Sequence, residues 1–375
     1  FGVVPLFVFM GNVVSATGMG EDAYDVANQA FRKIRGGLAI GTVGANAVFA
    51  AITGISIASA AVFTKIAVPH MIKFGYSQRF SVGVVAGSSV LGMLIPPSLL
   101  LILYGILTEQ SIGDLFIAAI IPGILLAMVF GFGILLLSFF WPSFVHSKKE
   151  NYKPDLELMK LREFLQKGAP LVILIVVVLG GIYGGFFTPI EAGAIGSFGA
   201  VLIGLIKRRL SLATLWGVLV ETGYITAAIS FLIIAAQMYA RMLALSGMPS
   251  EFGSFVVSSE FSIMSMILLY ILLVILMGTI LDSGSIMLIL VPLMYPILVS
   301  LNIDLIWFGI VTVIAVEVGL LTPPLGISVF VIKSSLDDKS ITLGDIFIGA
   351  FPFAIMMVAV LFLVVAFPQL TTFLL

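Results

Sequence analysis

Apolar residues run along this chain in blocks of helix length, around 38–53, 57–72, 80–107, 115–143, 169–187, 191–206, 212–245, 262–281, 286–300, 305–333 and 346–374. A membrane helix needs roughly 20 such residues, and the blocks give about 11 or 12 full spans or paired half-spans. The two-residue alternation of a transmembrane barrel is absent. The opening run from Phe1 to Asn12 has neither a basic flank nor a small-residue cleavage site, so it reads as part of a helix and not as a signal peptide. Because it begins with Phe, at least one earlier helix of a longer natural chain is expected ahead of it.

The same pattern occurs twice. At a constant offset of 227 positions Ser56 falls on Ser283, Pro69 on Pro296, Gly92 on Gly319, and Pro96-Pro97 on Pro323-Pro324. In the first copy a small-residue stretch from Phe49 to Ser56 interrupts an apolar run, a half-length segment leads to Pro69, and a later helix breaks between Gly92 and Ser98. In the second copy Gly278 to Ser285, the segment to Pro296 and the break between Gly319 and Gly326 repeat the order. Each proline ring removes a backbone donor and obstructs the helix, a costly event in lipid, where every peptide group needs a partner. Two matched breaks point to a transporter made of inverted repeats, with two re-entrant hairpins and two broken helices.

Composition agrees. Hydrophobic residues make up 61% of the chain and charged residues 10%, against about 25% charged in soluble domains. The net charge of -1 carries no nucleic-acid signal, and the absence of cysteine excludes disulfides and thiolate metal sites. Of the 18 Lys and Arg, six lie at Lys148, Lys149, Lys153, Lys160, Arg162 and Lys167, and three form Lys207-Arg208-Arg209. Two spans fit between these stretches, so both can face the cytoplasm by the positive-inside tendency. The organisation expected is a first repeat at 1–144, a cytoplasmic linker at 145–168 with a short surface helix at Asp155–Gln166, and a second half at 169–375.

The breaks suggest chemistry. Helix N-termini turn N–H groups toward an anion, and unwound carbonyls can surround a cation. Asp282 is the sharpest single residue, since a mid-membrane carboxylate costs about 2.5–3.5 kcal/mol and usually faces a partner or a cavity. Glu317, one turn before Gly319, either ligates or braces the broken helix. The plainer readings stand beside these: the glycines permit close packing, the serines bond to the preceding turn, Glu191 starts a helix, and Arg241 and Lys333 snorkel. His70 and His146 are too poorly accompanied for a metal site. No zinc-protease or serine-hydrolase pattern marks an enzyme.

The strings ITGISIASAAVFTKIAVPHM, GSSVLGMLIPPSLLLILYGI, GGFFTPIEAG, LDSGSIMLILVPLMYPI and FGIVTVIAVEVGLLTPPLGISVFV resemble the large membrane subunit of tripartite ATP-independent periplasmic (TRAP) transporters, in order and over essentially the whole chain. The resemblance implies a multi-pass bacterial inner-membrane symporter that uses sodium to import carboxylate-bearing organic anions such as dicarboxylates. It also implies a small membrane subunit, a periplasmic substrate-binding protein and elevator-like movement. The family's site carries over to Gly54, Ser56 and Ser59 in the first hairpin, where Ile55 and Ile57 replace a denser Gly-Ser run, and to Gly92, Pro96, Pro97 and Ser98 in the first break. It matches Asp282, Ser283 and Ser285 in the second hairpin, and Gly319, Thr322, Pro323, Pro324 and Gly326 in the second break. Sodium is expected at Ser56, Asp282, Ser283, Thr322 and nearby carbonyls, with no organic cofactor. A single-component divalent-anion sodium symporter and a passive channel are the alternatives.

Overall fold

The computed structural model describes residues 2–147, 159–248, 251 and 262–375. Ahead of position 148 the helices are α1 (Val3–Ala16), α2 (Met19–Phe31), α3 (Gly37–Thr53), α4 (Ser56–Lys73), α5 (Gln78–Ser89), α6 (Leu91–Leu94), α7 (Leu99–Thr108), α8 (Ile112–Phe140) and α9 (Pro142–Val145). Beyond it lie α10 (Leu161–Tyr183), α11 (Pro189–Ile206), α12 (Leu212–Ser246), α13 (Ile263–Gly278), α14 (Ser283–Ser300), α15 (Leu305–Leu320), α16 (Ile327–Ser335), α17 (Leu343–Ala366) and α18 (Gln369–Thr372). Among the described residues there is no strand, only an isolated bridge between Tyr76 and His146. Seven described spans are long and apolar enough to cross a bilayer, with α5 to α7 taken as one.

Two neighbourhoods of helices form. In the first, α1 packs on α11 and α12, and α10 on α11. Ser197 donates to the Leu6 carbonyl at 2.7 Å, and Asn12 donates to the Thr222 hydroxyl at 3.1 Å. Much of this group's apolar surface faces outward, as at Trp216, Phe231, Met238 and Leu245 of α12, which suits helices bathed in lipid. The second neighbourhood holds α3 to α7 and α13 to α17, and is much more deeply buried.

Its tightest crossing joins the two copies. A Cβ on Gly83 of α5 would lie 2.1 Å from the Gly349 carbonyl oxygen of α17, and one on Gly349 would lie 1.9 Å from that of Arg79. Neither position can take a side chain at this spacing. Small residues let helix backbones approach in this way where no hydrophobic effect drives association. Arg79 then pairs with Asp345 at 2.7 Å.

The spans expected from the apolar blocks appear with small shifts at their ends. One element was not foreseen: α2 is amphipathic, and α1 and α2 bend by 69° at Gly18, which takes a left-handed φ of 70°. Its acidic residues reach both basic stretches. Asp22 accepts from Lys207 at 2.7 Å and Arg209 at 2.9 Å, and Asp25 accepts from Lys167 at 2.7 Å. The two stretches therefore lie at the same end of the molecule. The separate surface helix expected at Asp155–Gln166 is corrected over its described part: from Leu161 onward the residues belong to α10, which continues without a stop to Tyr183. A long apolar run directly downstream lets the helix propagate. Asp155 to Leu158, with Lys148, Lys149 and Lys153, lie outside the described residues.

Asp22 is almost wholly buried while holding two cations. Asp22→Ala should destabilise the protein by up to about 3–5 kcal/mol, the usual cost of breaking one partner out of a buried ion pair. Thermal unfolding in detergent checks this, with Asp25→Ala, which removes a more exposed pair, expected to cost much less.

Candidate substrate and ion site

The first hairpin turns on two residues. Gly54 closes α3 with φ 65°, its N–H bonded to the Ala50 carbonyl at 3.0 Å; Ile55 is extended, and α4 starts at Ser56. The following broken helix opens where prolines remove donors and disfavour helical backbone before them. Ile95 is accordingly extended. Ser98 bridges the gap, its hydroxyl donating to the Met93 carbonyl and accepting from the Leu101 N–H at 3.2 Å to cap α7.

Tip and break touch through their backbones. The Leu99 N–H donates to the Gly54 carbonyl at 3.1 Å. A Cβ on Gly54 would lie 2.2 Å from the Pro97 carbonyl oxygen, and one on Gly92 would lie 3.0 Å from the Ser56 nitrogen. The second copy repeats the arrangement: the N–H groups of Leu325 and Gly326 both donate to the Thr279 carbonyl at 3.1 Å, and a Cβ on Gly319 would come within 2.6 Å of the Gly278 Cα. Leu99 and Gly326 are equivalent at the 227-residue offset. Both diproline bonds, Pro96-Pro97 and Pro323-Pro324, are cis.

The copies differ in surroundings. Gly54, Ser56, Ser59, Gly92, Pro96, Pro97 and Ser98 are all buried. In the second copy Ser283, Gly319 and Gly326 are buried, Asp282, Ser285 and Thr322 are half-buried, and Pro323 and Pro324 are exposed. Thr322 and Pro323 line a largely apolar cavity of about 620 Å³, shared with Ile275, Phe347 and Phe351.

Capping divides the four helix starts. Ser98 caps α7, and the Asp282 carboxylate caps α14 by accepting from the Ser285 N–H at 3.0 Å and from the Ser285 hydroxyl. No side chain caps α4 at Ile55 or α16 at Gly326. These two helices pack against each other, one from each copy. The first N–H groups of each helix have no carbonyl a turn earlier to bond, although the Val329 N–H reaches the Gly326 carbonyl at 2.8 Å, and their dipoles favour negative charge. The arrangement can bind an acid group.

The copies also meet through side chains. The Ser56 hydroxyl donates to Glu317 Oε1 at 3.4 Å across 261 positions of sequence, with both residues buried. Elsewhere the plainer readings describe the geometry. Glu191 forms a capping box with Thr188, Lys333 donates to the carbonyls of Lys339 and Ile341, and Thr322 donates to the Val318 carbonyl at 2.7 Å. His70 stacks with Phe74, and His146 lies 5.0 Å from the Tyr76 ring. Arg241 is exposed. Among the described residues no three His, Cys, Asp or Glu side chains gather to hold a metal. Sequence reasoning missed the buried pair Asn46 Nδ2 to Ser88 Oγ at 2.6 Å; its only signal was an Asn inside an apolar segment.

These features define a multi-pass helical membrane protein built from duplicated hairpin and broken-helix units. The family model for the DctM component of tripartite ATP-independent periplasmic transporters matches residues 1–370, and the chain belongs to that family, whose members are large permease subunits in the bacterial inner membrane. It is 33% identical over 98% of its length, and 84% of the relative's, to the C4-dicarboxylate TRAP transporter large permease protein DctM of Pseudomonas aeruginosa. It is 29% identical to the isethionate TRAP transporter permease protein DctMQ of Oleidesulfovibrio alaskensis, over 99% of this chain and 57% of that one. The crystal structure of the Alcanivorax borkumensis YdaH transporter has a similar fold, with a TM-score of 0.65 at 14% identity, covering 98% of this chain and 86% of that one.

Gly54 and Gly185 both have left-handed backbone, but a Cβ meets Pro97 at the first and nothing within 4 Å at the second. Gly185→Ala should cost about 1–2 kcal/mol, the price of the backbone alone. Gly54→Ala should lower the unfolding temperature distinctly further, since tip and break must separate to admit the methyl group.

Proposed function

We propose that this subunit imports organic acids by sodium symport, taking substrate from a periplasmic binding protein and working beside a small membrane subunit. The direct backbone pairing of each hairpin tip with the break that follows carries this reading. That pairing brings the carbonyls and N–H groups of interrupted helices together, where a dehydrated cation and an acid group can replace water. The acid is received at the uncapped starts of α4 and α16, and sodium at Ser56, Asp282, Ser283, Thr322 and nearby carbonyls. Loading both ligands neutralises the site, and only a neutral site moves cheaply through low dielectric. The second neighbourhood of helices would carry the loaded site past the first in an elevator-like movement.

The substrate class follows from charge. The relatives described above are named for a C4-dicarboxylate and for isethionate. An acidic oxyanion is their shared handle, and a helix start recognises it without regard to the rest of the molecule. A carboxylate-bearing anion is the substrate proposed here.

Uptake into proteoliposomes containing both membrane subunits tests this reading. Transport should require an inward sodium gradient and the binding protein, and Asp282→Ala should reduce it at least tenfold while the protein remains inserted. Ohmic, sodium-independent flux, or full-rate uptake without the binding protein, would overturn the proposal.

A further inference from the structure

In the first neighbourhood of helices, at the end that carries the basic stretches, a groove of about 650 Å³ runs between α10 and α11 with Asp22 of α2 at its mouth. The mouth is charged and the walls are apolar. Lys207 and Arg209, at and just past the end of α11, stand there with Lys167 of α10, while Ile173 of α10 and Ile203 and Ile206 of α11 form the walls. Ile173 lies six residues beyond Lys167, about 9 Å further along the span by helix rise. The groove therefore reaches from the level of the charges into the hydrocarbon layer. Its outer edge is open, since Leu165, Ile173 and Ile206 are 54%, 59% and 72% exposed.

The charges at the mouth are unevenly matched. Lys167 is answered twice, by Asp25 at 2.7 Å and by Glu163 at 3.1 Å. Lys207 and Arg209 share the single carboxylate of Asp22, and no other acidic side chain among the described residues lies within ion-pair distance of either. Lys207 uses one N–H on Asp22, and an ammonium group has further donors to offer. Arg208, next to both in sequence and exposed, adds positive charge at the same end.

We propose that this groove binds one anionic phospholipid of the cytoplasmic leaflet, with its phosphate on Lys207 and Arg209 and an acyl chain along Ile173, Ile203 and Ile206. Basic pockets between membrane helices on the cytoplasmic side suit acidic headgroups, and ammonium and guanidinium groups both donate strongly to phosphate oxygens. The walls choose among phosphates. A soluble phosphate ester would leave Ile173 and Ile206 uncovered, whereas a lipid chain covers them. Arg209 also donates to the carbonyls of Thr17 and Gly18 at 3.3 Å, where α1 bends into α2. A lipid held there braces the bend against α10 and α11, whatever solute the permease carries.

Native mass spectrometry and thermal unfolding of the purified full chain in detergent test the site, with phosphatidylglycerol and phosphatidylcholine of identical acyl chains as probes. One phosphatidylglycerol should stay bound per chain, more tightly than phosphatidylcholine, and raise the unfolding temperature. Lys207→Gln, which leaves Asp22 its Arg209 partner, should weaken that binding about fivefold or more. Ile173→Trp, which fills the groove without touching a charge, should weaken it as well, and it decides alone if Lys207→Gln does not fold. Arg208→Gln, outside the groove, should leave binding nearly unchanged.

Equal affinity for the two lipids, or a loss in Arg208→Gln as large as that in Lys207→Gln, would reduce the effect to general surface attraction and overturn the site. Unchanged binding in Ile173→Trp would exclude the groove. Glycerol phosphate that binds as tightly as the lipid would make the ligand a soluble phosphate and sink the proposal. Loss of the bound lipid on adding the small membrane subunit would also sink it, because the groove would then be a protein interface.

Discussion

A peptide group inside a bilayer has no water to fall back on, and this constraint governs the protein's deepest region. The diprolines make intrahelical bonding impossible at two places. What relieves each place is the tip of a neighbouring hairpin: Gly54 for the first break and Thr279 for the second. Each hairpin in turn needs its break, because α3 and α13 rise only about 24–26 Å, short of a hydrocarbon core of roughly 30 Å. Neither piece is satisfactory alone. Together they pair, and each supplies the backbone partner the other lacks.

Backbone symmetry does not extend to side chains. The bond from the residue after the first break to the tip recurs at the equivalent position of the second, yet Ser98 caps one helix while Gly326 begins the other uncapped. Glu317 faces Ser56 with no counterpart at Val90. The first unit is enclosed and the second opens onto an apolar cavity. A duplicated scaffold thus carries two chemically different halves.

Much of this was legible in the sequence because the governing signals are local. Apolar block length gave the spans, and prolines at a fixed offset gave the breaks and their pairing as repeats. The short amphipathic α2 escaped notice, since its Glu21, Asp22 and Asp25 look like a solvated connector until the cations that neutralise them are brought near by folding. Ser98 reads as a ligand in sequence, but its hydroxyl is already engaged on both sides of the gap. The approach of Ser56 to Glu317 spans 261 positions, and no periodicity connects them.

The crossing of α5 and α17 at Gly83 and Gly349 has a mechanical meaning. Backbones in direct apposition leave no compliant layer of side chains between them, so one cannot slide or tilt without dragging the other. α5 leads directly into the first diproline, while α17 belongs to the opposite half of the chain. The two halves are thereby coupled at a rigid backbone contact.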